Sequence, residues 1–306
     1  MHVDWSKRPK KQLGIALILI LIATLFSTLM GAIAKFLAPH QTAEAIVFWR
    51  NFVGLLLFFP WILFSSPRFH LSEKLRINHL KLPLIRGVAS VLAIFSYYYS
   101  LRYLSLTEAT LLFNTIPIFA PLVSFIWLRV KIFHSLWWGI ATAFLGIILV
   151  LKPGTTIFQP ASLIALGSGI LGAISMIALR VSHFSETFER NIFYLFTIGF
   201  LGMGIATLFS FSASWGSLNL TEIAWLIGIG ITGLLYQIFL TLSSKHAPIR
   251  FISIFLYTAV IYAILFDRLI WNTPIPLSTY LGFALIVAGA LLLVFLYPKE
   301  DLQFKK

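Results

Sequence analysis

The sequence predicts an all-α integral membrane protein whose ten transmembrane helices form two inverted five-helix repeats. Three observations predict this fold. The 306 residues are 59% hydrophobic and only 11% charged, whereas a soluble domain is about 45–50% apolar and about 25% charged. The chain also divides into apolar stretches of membrane-spanning length, and its two halves share a glycine pattern. An ordinary soluble domain is therefore excluded.

Ten apolar stretches are long enough to cross a bilayer, because a hydrocarbon core of about 30 Å needs roughly 20 helical residues. They are Leu13–Lys35, Ala45–Ser65, Leu82–Leu101, Thr107–Leu128, Phe133–Leu151, Ala161–Val181, Ile192–Phe211, Thr221–Leu242, Ile249–Trp271 and Leu277–Tyr297. The first stretch is longer than the apolar core of a signal peptide, about 7–15 residues, so we interpret it as a retained helix. The connections are short, which places any function inside the helical bundle.

The positive charges predict the orientation. The chain has 23 Lys and Arg against 10 Asp and Glu, a net charge of +13. With the N-terminus inside, most basic residues fall on cytoplasmic segments, as the positive-inside rule requires. The outer connections hold only Lys35, Arg102, Lys152 and Arg268. We therefore expect a multi-pass protein of the inner membrane with both termini in the cytoplasm. Nucleic-acid binding is not expected, since the basic residues are spread over every inner loop.

An internal repeat emerges when the chain is shifted by 143 residues, which brings Gly139 onto Gly282 and Gly146 onto Gly289. Glycines seven apart share one helix face and suit close helix packing in lipid. Residues 13–152 and 161–297 are thus predicted as two repeats, with cytoplasmic tails at 1–12 and 298–306. Because each repeat has five spans, the second is inverted, an architecture typical of secondary transporters. Chance similarity between apolar helices is the alternative.

Short motifs in this order resemble the drug/metabolite transporter superfamily, specifically its ten-helix EamA-domain proteins. The motifs are Val47-Phe48-Trp49-Arg50, Leu84-Ile85-Arg86-Gly87, Tyr99 to Ser105, Thr115-Ile116-Pro117-Ile118-Phe119, His246-Ala247-Pro248, Leu256-Tyr257, Pro274 and the two glycine helices. The resemblance covers nearly the whole chain. It implies alternating-access transport of a small polar metabolite, without an enzymatic activity or a cofactor.

The resemblance also suggests substrates. The Trp49-Arg50, Leu84-Ile85-Arg86-Gly87 and Leu256-Tyr257 motifs look like those of members that move amino acids or derivatives, including S-adenosylmethionine uptake carriers. Efflux of amino acids or drugs is the alternative within the class. An intramembrane enzyme or a subunit that does not transport is the alternative from other classes. Many members carry a glutamate nine residues before the first glycine of each glycine helix, where this chain has Val130 and Thr273.

Two arginines within the apolar stretches are candidate substrate ligands, because a charge inside the membrane is costly unless paired or hydrated. The guanidinium of Arg50 suits a substrate carboxylate or phosphate, and a structural Arg that caps carbonyls is the alternative. Arg86 lies only five residues after Lys81. Snorkelling to the cytoplasmic headgroups explains Arg86 more simply than ligand contact does.

Acids are scarce, which bears on energy coupling. Glu108 and Asp267 are the candidate coupling groups, although a glutamate at a helix N-terminus is also favoured by the helix dipole. Neighbours in a helix point about 100° apart, so Asp267 is not automatically paired with Arg268. All seven histidines fall in loops or near span ends. Without a relay of buried titratable groups, exchange or facilitated transport is as well supported as proton coupling.

A break in the fourth span is predicted at Asn114-Thr115-Ile116-Pro117, because Pro117 and Pro121 remove backbone donors from the middle of this helix. Freed backbone groups at mid-membrane can bind substrate. This region is therefore a candidate substrate site or hinge, and a tolerated kink is the alternative.

Aromatic residues supply further candidates for the substrate site. Tyr98 and Tyr257 could line a cavity and stack on a planar or cationic group, whereas helix packing is the alternative for each. The sequence contains no pattern that supports a catalytic triad, a phosphate loop or a metal site, and it has no cysteine.

Overall fold

The computed structural model describes residues 10–64, 75–76, 80–129, 133–151, 160–183, 185–209, 219–247 and 249–296, with helical backbone but not side chains described at 10–11, 64 and 249–251. Both cytoplasmic tails lie largely outside the described residues. The helices are α1 Lys10–Leu37, α2 Ala43–Phe64, α3 Lys81–Ser100, α4 Leu106–Phe113, α5 Ile116–Leu128, α6 His134–Leu151, α7 Pro160–Ser182, α8 Phe188–Phe209, α9 Leu220–His246, α10 Ile249–Phe255, α11 Thr258–Ile270 and α12 Leu277–Phe295. Ten helical segments of the described chain are long and apolar enough to span a membrane, which confirms the predicted fold class.

The packing of the spans follows the predicted repeat. When the two five-span halves are exchanged, each closely packed pair of spans maps onto a closely packed pair. The first span packs on the eighth (α1 on α9), and its counterpart pair, the sixth on the third (α7 on α3), packs equally closely. The second span packs on the seventh (α2 on α8) and the fifth on the tenth (α6 on α12), and each of these pairs maps onto itself. This pairing supports the inverted-repeat interpretation.

The glycine faces of α6 and α12 lie against each other. A Cβ atom added at Gly139 would lie 2.9 Å from the carbonyl oxygen of Gly289, and one added at Gly146 would lie 2.6 Å from that of Gly282. The partner is backbone in both cases, so it cannot rotate away. Only glycine permits this approach, which is how tightly packed helices associate in lipid.

We expect Gly146→Ala to lower the free energy of unfolding by about 1–3 kcal/mol, because the added methyl group forces α6 and α12 apart. Thermal unfolding in detergent measures the change. Gly202→Ala is the matched control, since a Cβ at Gly202 meets nothing within 4 Å. Equal stability of the two variants would contradict the close packing of α6 on α12.

Two spans are interrupted near their middle. The fourth span breaks between α4 and α5 at Asn114-Thr115, which confirms the predicted break. The ninth span, predicted as one helix over Ile249–Trp271, instead breaks between α10 and α11 at Leu256-Tyr257. The prediction of a continuous ninth helix was therefore wrong. The two breaks fall at equivalent positions, because the shift of 143 residues carries Asn114 onto Tyr257.

Candidate substrate site

Arg50 is a buried cation that has no acidic partner among the described residues. Its side chain in α2 is 1% exposed. Nε donates to the sulfur of Met30 at 3.2 Å, and Nη1 donates to Oδ1 of Asn51 at 3.3 Å. Nη2 has no hydrogen-bond partner. These neighbours are neutral, and none is a backbone carbonyl, so the contacts do not support the alternative of an Arg that caps carbonyls.

A glycine makes room for the Arg50 side chain, and an aromatic ring lies beside its guanidinium. A Cβ at Gly233 of α9 would lie 2.8 Å from Nε of Arg50, so a larger residue at this position would displace the guanidinium. The Arg50 Cζ atom lies 5.5 Å from the ring centroid of Phe196, close enough for a cation-π contact. The Tyr98 side chain is also buried.

Six buried side-chain atoms of the described residues lack a hydrogen-bond partner, and three of the six belong to predicted site residues. These three are Nη2 of Arg50 and the hydroxyls of Tyr98 and Tyr257. An unsatisfied buried polar group costs about 1–3 kcal/mol, and proteins retain few of them. Tyr97, by contrast, pairs its hydroxyl with Thr110 at 2.9 Å. Of the adjacent tyrosines, Tyr98 is thus the one available to a ligand.

Arg86 does not snorkel, so the preferred interpretation of this residue was wrong. The side chain is 2% exposed, and Nη1 donates to the carbonyl oxygen and to Oδ1 of Asn191 in α8 at 2.7 and 2.9 Å. Ser182 holds Asn191 in place by donating to Oδ1 at 2.6 Å. The guanidinium is therefore buried against the first turn of the seventh span and does not reach the surface of the bundle.

Arg86 lines a central cavity that both helix breaks border. The cavity has a volume of about 40 Å³, room for roughly three water molecules. Its wall includes Arg86, Ser90, Phe113, Tyr236, Gln237 and Leu256. Phe113 ends α4, and Leu256 lies at the break in the ninth span. This is the position at which transporters with broken helices bind their substrates.

The break in the fourth span is satisfied by its own side chains. The Asn114 amide donates to the carbonyl of Thr110 at 2.8 Å, and the Thr115 hydroxyl donates to that of Leu112 at 2.6 Å. Pro117 lies in the first turn of α5, where its missing N–H leaves no bond unmade. Asn114 and Pro117 thus stabilise the break, which shapes the cavity.

Glu108 occupies the third position of α4 and bonds twice to the N-cap residue Ser105. The Ser105 hydroxyl accepts from the Glu108 N–H and donates to the Glu108 carboxylate, each at 3.1 Å. This reciprocal pair stabilises a helix N-terminus. The geometry supports the helix-terminus interpretation of Glu108.

Asp267 joins three spans at the predicted outer end of the bundle. Its fully buried carboxylate accepts from Lys35 of α1 at 2.9 Å. It also accepts from the N–H and the hydroxyl of Thr107, both at 2.7 Å, and from the N–H of Leu106 at 3.3 Å. Arg268 takes no part in these bonds, as predicted. Lys35 was missed as the partner because it was counted only as an outer-loop charge.

His183 lies just beyond the inner end of α7, with Nε2 2.8 Å from the Ser244 hydroxyl. Burial and the positive charges of Arg86 and Lys245 lower the pKa of His183 to about 4. Between pH 6.5 and 4 the unfolded chain therefore binds a proton that the folded chain does not. Stability should fall as the pH drops through this window and stay constant above it.

We expect His183→Gln to remove this pH dependence, because glutamine does not titrate and can still bond to Ser244. By pH 4 the wild-type protein should have lost about 1–3 kcal/mol more than the variant. Unfolding temperatures of both proteins over a pH series measure the difference. Parallel curves would contradict the lowered pKa.

Within the described part of the chain, no group of three or more His, Asp or Glu side chains is placed to hold a metal ion. Of the two positions where relatives often carry glutamate, Val130 lies outside the described residues. The Thr273 N–H donates to the carbonyl oxygen of Asp267 at 3.0 Å.

Comparison with known proteins agrees with this architecture. Residues 14–152 match the EamA-like transporter family. The chain is 25% identical to the pseudopaline exporter CntI of Pseudomonas aeruginosa, over 90% of this chain and 94% of that protein. It is 27% identical to an uncharacterized transporter of Helicobacter pylori, over 90% and 93%. It is 21% identical to an S-adenosylmethionine uptake transporter of Rickettsia conorii, over 90% of each.

A crystal structure with 15% sequence identity has the same fold, with a TM-score of 0.67 over 92% of this chain and 96% of that one. The fold, the family match and the relatives thus agree with one another and with the resemblance seen in the sequence. Residues 14–152 are thus similar to the EamA-like transporter family, the relatives that the chain matches over most of its length are named as transporters, and its ten candidate spans are those of a multi-pass membrane protein.

Proposed function

We propose that this transporter carries a small polar metabolite with a carboxylate group, an amino acid or a derivative, across the inner membrane by alternating access. The observation that carries the proposal is the buried guanidinium of Arg50, whose Nη2 has no partner. A carboxylate is the natural ligand of such a group, because the planar fork of donors matches its two oxygens.

Alternating access is supported by how the spans are joined. Broken helices border the central cavity, so their halves can tilt without loss of the remaining backbone bonds. Asp267 and Lys35 hold the predicted outer end of the bundle together. The predicted orientation, with both termini in the cytoplasm, places the short α10 at the inner side.

The acids at Glu108 and Asp267 are both engaged in structural bonds. We therefore expect exchange or facilitated transport, without acceleration by a proton gradient. The concentration gradient of the substrate then sets the direction of transport. This fits relatives that bear the names of an exporter and of an uptake transporter.

Flux into proteoliposomes tests the proposal. Labelled amino acids and S-adenosylmethionine should show saturable uptake that the unlabelled carboxylate-bearing compound competes away. The matched amine, which lacks only the carboxylate, should compete at least tenfold less well, the effect of about 1.4 kcal/mol. Absence of saturable flux for every compound would overturn the proposed substrate class. An imposed pH gradient that accelerates flux strongly would overturn the uncoupled mechanism.

A further inference from the structure

We propose that the substrate carries two anionic groups, one held by Arg50 and the other by Arg86. This inference deepens the proposed function and rests on it. Arg50 and Arg86 belong to adjacent spans, and one stretch of α9 borders both: Gly233 lies against the Arg50 side chain, and Tyr236 follows three residues later on the same helix. Tyr236 lines the central cavity, as Arg86 does. The two cations thus belong to one connected site.

The charges of the described spans do not balance at this site. Asp267 is the one acid buried within these spans, and Lys35 neutralises it at the outer end. Arg50 and Arg86 bond only to neutral groups, namely a thioether, the side-chain amides of Asn51 and Asn191, and a backbone carbonyl. The described residues therefore place two positive charges at this site without a counter-charge.

Such an arrangement is costly, because each uncompensated buried ion loses several kcal/mol of hydration energy. A ligand with two anionic groups offsets this cost at both arginines, whereas a zwitterion offsets it at one and brings a further cation. A compound with a net positive charge, such as S-adenosylmethionine, raises the imbalance. Electrostatics thus favour a dianion.

Both guanidinium groups have donors to spare. Arg50 Nη2 has no partner, and Arg86 uses only Nη1 for its bonds to Asn191. Each arginine can therefore donate to an incoming oxyanion without breaking the bonds that hold it.

The positions of the arginines indicate how far apart the two anionic groups are. Arg50 lies seven residues into α2 from its outer end, and Arg86 lies five residues into α3 from its inner end. At 1.5 Å per residue their Cα atoms are about 10 Å and about 8 Å from the respective membrane faces, which leaves roughly 12 Å between them along the membrane normal. Asn191, which holds the Arg86 guanidinium, lies three residues into α8 from its predicted inner end, so this guanidinium is directed away from Arg50. The two anionic groups are therefore separated by several bonds.

Competition in proteoliposomes, at equal pH and with the membrane potential clamped, tests this inference. The probes are L-glutamate and L-2-aminoadipate as dicarboxylates, phosphoserine as a phosphate ester, L-glutamine as a matched zwitterion, and S-adenosylmethionine. The two dicarboxylates should compete at least tenfold better than glutamine. Stronger competition by phosphoserine would support the dianion and identify phosphate as the second anionic group.

Arg86→Gln should abolish the preference. The KM ratio of glutamine to glutamate should fall from at least tenfold to near unity, while the KM of glutamine stays within about threefold. This ratio does not depend on the amount of folded protein. Arg86→Lys retains the charge and should keep part of the preference, and Arg102→Gln, on the outer connection, should keep all of it.

The outcomes separate the two proposals. If glutamine or S-adenosylmethionine is carried with the higher affinity, the dianion inference fails and the proposed function stands. A preference for dicarboxylates that survives in Arg86→Gln would overturn the role of Arg86. If no probe shows saturable flux, the proposed function fails and this inference fails with it.

Discussion

Arg50→Gln should weaken substrate binding and leave the substrate-free protein at least as stable as the wild type. Hydrogen bonds to a charged group contribute about 1.5–3 kcal/mol, so binding should weaken by roughly 10–150-fold. Stability should be retained or raised, because glutamine removes a buried charge that has no acidic partner in the described chain. Affinity and stability thus change in opposite directions.

Two measurements check this expectation together, namely flux in proteoliposomes and thermal unfolding in detergent without substrate. Arg50→Lys keeps the charge and loses the planar fork, so its affinity should fall between those of the wild type and Arg50→Gln. Arg102→Gln is the control for loss of one positive charge, since Arg102 is exposed and donates to the Gln41 carbonyl. A lower unfolding temperature with unchanged affinity would mean that Arg50 is a structural residue.

The ten spans could be predicted because the hydropathy of a span is summed over about 20 residues, so one unusual residue changes the sum very little. The break at Asn114 could be predicted because a proline follows it. The break at Leu256-Tyr257 could not, since no proline or glycine stands there. The 143-residue repeat held the missing signal, because it maps the first break onto the second.

The site was predictable only in part. Arg50 stands out in the sequence because it interrupts an apolar run. Arg86 was misinterpreted because distance from the helix end does not determine side-chain direction, and its partner Asn191 is far away in the chain. Lys35 and Asp267 are separated by 232 residues. Counting the charges on each connection does not show which of them form ion pairs. Long-range partners of buried charges required the fold.

Asp267→Asn should open the predicted outer end of the bundle and destabilise the protein. The carboxylate receives one charged and three neutral hydrogen bonds, from Lys35, Leu106 and Thr107. An amide accepts fewer of these bonds and leaves Lys35 without its counter-charge. Loss of one partner from a buried ion pair costs about 3–5 kcal/mol, which thermal unfolding in detergent measures.

The chain has no cysteine, so a single introduced thiol reports on this opening without background. Ala109 of α4 is fully buried, one turn from the carboxylate, and Ala109→Cys should react slowly with a membrane-impermeant thiol reagent. Adding Asp267→Asn should accelerate labelling roughly tenfold or more, the effect of a shift of about 1.4 kcal/mol toward the open state. Unchanged labelling would mean that the ion pair stabilises the fold and does not close the outer end.

The donors around Asp267 also predict an order among the variants. Lys35→Gln should have the smaller effect, because the carboxylate keeps its three donors from the start of α4. Exchanging the charges, Lys35→Asp with Asp267→Lys, should not restore stability or slow labelling, since a lysine cannot accept from the Leu106 and Thr107 amides. Rescue by the exchange would mean that the attraction between two charges suffices. If the exchange fails and Lys35→Gln has only a mild effect, the bonds between the Asp267 carboxylate and the N-terminus of α4 close the outer end. The helix dipole adds to these hydrogen bonds.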